Sequence, residues 1–393
     1  MIAIFGISFA FGVYQVYYQD VMLPQHSPSA ISWIGTIQAS FTFLFGLVSG
    51  PLFDKGYFFH VVVGASTGLV LSFMLLSICK EYWQILLCQG LLAGICSGLL
   101  YISTLSQVPR YFSSQRGRAL GLVTSGVGVG GIIYPLIFRR LLRELGFGWA
   151  TRVVGFVTMG FLLVAAVLIK PLHLNNAPKK LRDPTMFKDP YYVSFIFSGL
   201  LIGFGMMIPY YDSGLFWVAR FDHNLDSAFY TLIIANVGGF FGRLLISAAV
   251  DYGVPAEYMM TVSTAVTAAL GFGWIGVHTK SSYYAFLVLW GIFSSANATL
   301  PTCLMMYLIP RPEVFATRMG LVLGMTGVGM LVGPPIANAL IKHQTNFLGV
   351  QLWVGITCTV ALVSIAFTSF GVRRARKARA AAAAAAAAKN GGR

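Results

Sequence analysis

Charge is what this sequence has least of. Only 10% of its 393 residues are Asp, Glu, Lys or Arg, against about 25% in a soluble domain. So little charge excludes a surface covered for water and points to lipid as the solvent. Acidic residues are scarcest, 12 against 27 basic ones, a formal charge of +15. The basic residues lie in short loops between apolar runs and in the tail, which fits a membrane topology bias and not a nucleic-acid footprint.

Other absences narrow the chemistry. The five cysteines, Cys79, Cys88, Cys96, Cys303 and Cys358, form no CxxC, and no His or carboxylate stands at ligand spacing from them. They read as small packing residues, so no metal is expected. There is no HExxH, no GxSxG and no pair of intramembrane carboxylates, so an enzyme is not expected. No lysine follows the glycine rows in a phosphate-cradling pattern, which leaves no ATP site and no expected cofactor. The N-terminus lacks a basic region and a small-residue cleavage site, so it reads as a first span and not a removed signal. That span begins at Met1 itself, and the chain is expected to lack an N-terminal piece.

What is abundant is apolar. The chain is 57% hydrophobic with a mean hydropathy of +0.75. A membrane helix needs about 20 such residues. Twelve runs qualify: 1–19, 31–53, 61–79, 82–109, 119–138, 153–169, 191–214, 227–250, 258–277, 281–310, 319–341 and 346–371. The expected fold is therefore all-α integral membrane, in two pseudo-symmetric six-helix bundles. The first covers 1–169 and the second 191–371. Residues 170–190 form a polar linker, and 372–393 a basic, alanine-rich tail expected on the anionic inner leaflet. Placing both termini inside puts Lys55, Arg110, Arg116, Arg118, Arg311, Arg318 and the linker and tail cations on the cytoplasmic side. Arg139, Arg140 and Arg143 fall outside and weaken that bias.

The halves echo each other. Gly50, Asp54, Lys55 and Gly56 follow the second span, and Gly242, Arg243, Asp251 and Gly253 close the eighth. The fifth span runs from Arg118 to Pro135 and the eleventh from Arg318 to Pro335. Such repeats mark many secondary transporters.

The Gly50, Asp54, Lys55, Gly56 loop resembles that of the major facilitator superfamily, one residue short. Within it, Tyr111-Phe112, Arg116, Ala119, Gly121, Gly126 and Gly130 resemble the entry to span five of the monocarboxylate transporter family. Ser27 to Gly35, Gly146 to Trp149 and Phe187 to Pro190 are similar to its fungal branch. The resemblance covers nearly the whole chain. It implies a carrier for a small monocarboxylate or related organic solute, with protons as a candidate partner in symport, in the plasma membrane. Export of a fungal secondary metabolite is the second reading, and a non-transporting sensor on the same fold the third. Three features depart from the family. Its acidic-Gly-Gly-aromatic motif at the start of span one is absent. No lysine lies between Phe9 and Gln15. Position 239, where animal members pair an acid with the span-eight arginine, is glycine.

Arg243 is the one basic residue inside a span, where a charge needs a partner. A substrate carboxylate is one candidate, since guanidinium grips carboxylate as a fork. A salt bridge to Asp251, eight residues on, is the other. Asp54 and Lys55, with Arg116, Arg118 and Asp251, are candidates for an inner gate; topology-setting charge is the plain alternative. Tyr14, Gln15, Tyr101, Asn236 and Asn297 are polar groups within spans, candidates for the solute path or for bonds between helices. Asp212 is a further candidate for proton coupling. The sequon at Asn297 lies inside a span, out of reach of glycosylation. Small-residue rows at Gly90, Gly94 and Gly98, at Gly117, Gly121 and Ser125, and at Gly320, Gly324 and Gly327 allow close helix packing, and rocking surfaces as the sharper reading.

Overall fold

The computed structural model describes residues 1–112, 115–169, 186–222, 225–308, 314–341 and 346–391. Most of the linker, with Lys170, Lys179, Lys180 and Arg182, lies outside them, as do Arg311 and the side chains of Arg110 and Arg116.

Among the described residues, ten helices are long and apolar enough to cross a membrane. One of them, Gly117–Leu168, is two passes. It breaks at Gly146, whose φ of 76° and ψ of 173° are non-helical. A side chain avoids that region, so glycine makes the turn. The expected loop from 139 to 152 is mostly helical instead. An Arg140–Glu144 pair at 3.0 Å, one turn apart, supports the helix that charge counting reads as loop. Ile2–Tyr17, continued by a π-helical turn to Met22, supplies the first pass. The other passes are Pro28–Asp54, Phe58–Leu76, Tyr82–Val108, Pro190–Tyr211, Ser227–Asp251, Ala256–Gly276, Lys280–Met306, Phe315–Leu340 and Leu348–Ala378. In chain order these make spans one to twelve, with the fifth and sixth on either side of Gly146.

Local signals start several helices. The Ser27 hydroxyl accepts from the Ala30 N–H, and Pro28 follows in the first turn. Asp189 and Pro190 do the same for the seventh span, and Thr279 caps the tenth. A polar side chain satisfies an N–H the helix leaves bare, and proline has none to leave.

Spans one to six pack on one another, as do spans seven to twelve. The two bundles meet where the second span lies on the eleventh and the fifth on the eighth. Backbones come very close there. A Cβ on Gly320 would strike the Gly46 carbonyl, one on Gly50 the Ala316 carbonyl, and one on Gly121 the Ser247 side chain. The glycine rows of spans five and eleven therefore lie in the seam between bundles. Those of span four face Gln38, Phe41 and Phe45 of span two inside the first bundle.

Three spans are interrupted. The second breaks at Phe45, the seventh at Met206 and Met207, and the tenth at Ser295. Irregular backbone survives within a membrane only against protein or a cavity. All three breaks adjoin the cavities described below.

The twelfth span does not end at the membrane. Its helix runs on as Leu348–Gly391 through the basic stretch. Arg373 lies over the Tyr258 ring at 3.8 Å, and Arg376 Nη2 is 3.2 Å from Glu257 Oε1 at the start of the ninth span. The tail is thus held to the second bundle by two contacts.

Candidate translocation site

Two carboxylates sit at the same end of the seam. The backbone N–H and hydroxyl of Thr317 both donate to Asp54 Oδ2, each at 2.8 Å. The N–H groups of Gly117 and Arg118 donate to Asp251 Oδ1 and Oδ2, at 3.0 and 2.6 Å. Each acid comes from the end of a span in one bundle and meets the first turn of a span in the other. The bare N–H groups and positive dipole end of a helix suit a carboxylate. Position 117 and position 317 are related by the repeat's offset, so the arrangement is reciprocal.

Asp251 does not reach Arg243; its oxygens are taken by the fifth span. Arg118 lies over the Tyr252 ring at 4.5 Å. Lys55 is exposed. At this end the two acids cap helices across the seam, where the backbones approach closely.

Arg243 stands eight residues inward, roughly 12 Å along the helix. It is 6% exposed, and its ionisable neighbours are Tyr210 and Tyr101. Nε has no hydrogen-bond partner, and among the described residues no carboxylate pairs with the guanidinium. A Cβ built on Gly239 would lie 2.9 Å from Arg243 Nη1, so an acid there would face it, and here there is none. Tyr210 shares a hydrogen bond of 3.0 Å with Ser294.

Arg243 lines a small cavity of about 30 Å³ between the bundles. Its walls come from both bundles: Phe5, Ser8, Phe9, Ala39, Thr42, Phe43, Tyr101, Thr124 and Val127 from the first, Met207, Tyr211, Ala298 and Met330 from the second. One buried cation thus faces a mostly apolar chamber edged with hydroxyls. Burying an unpaired charge is costly, and an anionic group entering the chamber relieves that cost.

Of the path candidates, Arg243 and Tyr101 meet at this cavity. Asn297 lines a second one, its Oδ1 accepting from the Thr264 hydroxyl at 2.7 Å. The others lie elsewhere. Tyr14 stacks on Phe138, ring centroids 3.6 Å apart, between spans one and five. Gln15 donates to the Ser32 hydroxyl at 3.0 Å, joining spans one and two. Asn236 donates to the Leu232 carbonyl of its own helix at 2.9 Å and faces Gly131 in the seam. Depth within a span, which suggested these three, does not encode which way a side chain points.

Sequence reasoning missed Thr317, Thr42, Thr124 and Glu257. The repeat pointed to Thr317, which stands 200 positions after Gly117. Thr42 and Thr124 carried no signal, since threonine is common in spans. Glu257 opens an apolar run and looked like loop charge, yet it is fully buried.

The profile of the Major Facilitator Superfamily matches residues 1–314. The MFS-type transporter dbaD of Emericella nidulans is 36% identical over 358 residues, covering 91% of this chain and 80% of that one. The aspyridones efflux protein apdF of the same organism is 34% identical, covering 89% and 71%. The agnestins efflux protein AgnL12 of Paecilomyces divaricatus is 29% identical, covering 94% and 84%. Among solved structures, FucP in its outward conformation superposes with a TM-score of 0.68 at 15% identity, covering 93% of this chain and 98% of that one. The human organic anion transporter MFSD10 superposes with a TM-score of 0.72 at 13% identity and the same coverage. These likenesses show the fold. Profile, relatives and architecture agree, and the chain belongs to the Major Facilitator Superfamily.

Proposed function

We propose that this protein is an efflux carrier for a small organic anion made by fungal secondary metabolism, working by alternating access. The observation that carries the reading is Arg243, a buried guanidinium with no carboxylate partner among the described residues, in a cavity walled by both bundles. Relatives named as efflux proteins for aspyridones and agnestins support export of a secondary metabolite. A simple monocarboxylate, the substrate first expected, fits less well: most of the wall is apolar and would lie bare beside so small a polar solute. With Gly239 beside Arg243, the described residues of the wall include no carboxyl to take a proton there.

In this reading the bundles rock about the chamber. The Asp54 and Asp251 caps hold one end shut, and their release opens it. That end is cytoplasmic by the loop charges, with the protein in the plasma membrane and the two bundles at 1–169 and 191–371.

Sealed proteoliposomes loaded with dansyl-leucine, an apolar aromatic bearing one carboxylate, test the proposal. Release faster than from protein-free vesicles, saturable, and returned to background by Arg243→Ala is expected. Equal release from the Arg243→Ala protein contradicts it.

A further inference from the structure

The central chamber is not the only space on the path. A second small cavity, of about 20 Å³, lies mainly in the second bundle and marks where the path can widen as the bundles rock. Phe43 and Ala298 line both. Ala298 adjoins the interruption of the tenth span at Ser295, and Phe43 that of the second at Phe45.

The chambers differ in chemistry. The second is walled by Phe195, Met206, Met260 and Leu323, and most of its polar groups are already engaged. The Ser198 hydroxyl donates to the Phe195 carbonyl at 2.7 Å, and that of Thr326 to the Val322 carbonyl at 3.2 Å. Asn297 Oδ1 is held by Thr264. Hydroxyls and an amide oxygen turned to protein partners leave a wall that meets a ligand mainly with carbon. Methionine side chains adapt to irregular apolar shapes. Across the shared wall, Arg243 keeps a donor without a partner.

We infer that the two chambers form one bipartite site for an amphipathic organic acid. The acid group lies at Arg243, and an apolar tail passes Phe43 and Ala298 into the second chamber. This rests on the anion-carrier reading and adds the tail. A single charged anchor makes such a site tolerant of tail shape and intolerant of losing the acid.

The straight-chain alkanoic acids from acetate to dodecanoate, with matched alkanols to correct for lipid partitioning, test it on protein in nanodiscs. Apparent affinity comes from the shift in thermal unfolding. Burial of each methylene adds about fourfold in affinity. The acid series should climb at about that rate over several methylenes and then level off, and Ala298→Phe should flatten the climb. Thr326→Met, on the eleventh span, is the second variant should Ala298→Phe fail to fold. An acid series that binds better than the alkanols but does not climb, or climbs unchanged in the blocked protein, overturns the second chamber while leaving Arg243 as an anion anchor. Acids indistinguishable from alkanols, with Arg243→Ala unchanged, overturn the anion-carrier reading itself.

Discussion

A single carboxylate oxygen of Asp54, at the end of the second span, accepts two hydrogen bonds from Thr317 in the first turn of the eleventh, each 2.8 Å long. Asp251 repeats the relationship between the eighth and fifth spans. Hydrogen bonds to a charged group contribute about 1.5–3 kcal/mol each. Asp54→Ala should therefore lower the population closed at this end by roughly tenfold or more. Asp251→Ala should do the same, and the double variant should be close to additive because the acids cap different helices. The labelling rate of a reporter cysteine at Ser247, in a background lacking the native cysteines, measures the opening. A rate unchanged in both single variants would show that the caps do not hold the end shut.

The seam also depends on backbone approach. A methyl on Gly320 meets the Gly46 carbonyl, which has no flexible end to move aside. Gly320→Ala should keep this end from closing and raise labelling at the same reporter. Gly160→Ala, where the new methyl meets nothing within 4 Å, is the control. Equal effects from the two would assign the loss to helix propensity in general.

Position 239 faces Arg243. The only group a Cβ there would crowd is the guanidinium's own flexible end, 2.9 Å away. Gly239→Asp should fold and pair with Arg243, weakening binding of an acid probe at least tenfold. Titrating dansyl-leucine by fluorescence against both proteins checks this. An affinity within twofold of wild type would place the acid group elsewhere.

The tail contact carries a stability prediction. Glu257 is fully buried and Arg376 is 40% exposed. The pair is held by proximity, since neither Glu257 oxygen has a well-aligned donor. Removing one partner of a buried pair leaves an uncompensated charge. With Arg376 half in solvent, Arg376→Ala should cost about 1–3 kcal/mol, below the range for fully buried pairs. Glu257→Gln added to it should recover most of the loss, because no stranded charge remains. Thermal unfolding of the three variants reads this directly, and a double variant weaker than Arg376→Ala alone would contradict it.

Much of this was legible in the sequence. Hydropathy places the spans because lipid demands long apolar helices, and the 200-residue offset anticipates the reciprocal seam. Arg243 stands out because a charge inside a span needs a reason. What sequence does not carry is azimuth. Tyr14 is as deep as a path residue but turns to Phe138. Asp251, eight residues from Arg243, turns sideways to the fifth span's N–H groups. The helix on either side of Gly146 was hidden, since Arg140 and Glu144 look like loop charge and act as a helical pair.

The most direct test of the central claim is comparative flux from sealed proteoliposomes. Dansyl-leucine and labelled lactate are followed side by side, in wild-type protein and in Arg243→Ala. Saturable release of dansyl-leucine, faster than that of lactate and lost with Arg243, is the expected result. Lactate moving as fast or faster, or dansyl-leucine release that survives the loss of Arg243, would contradict it.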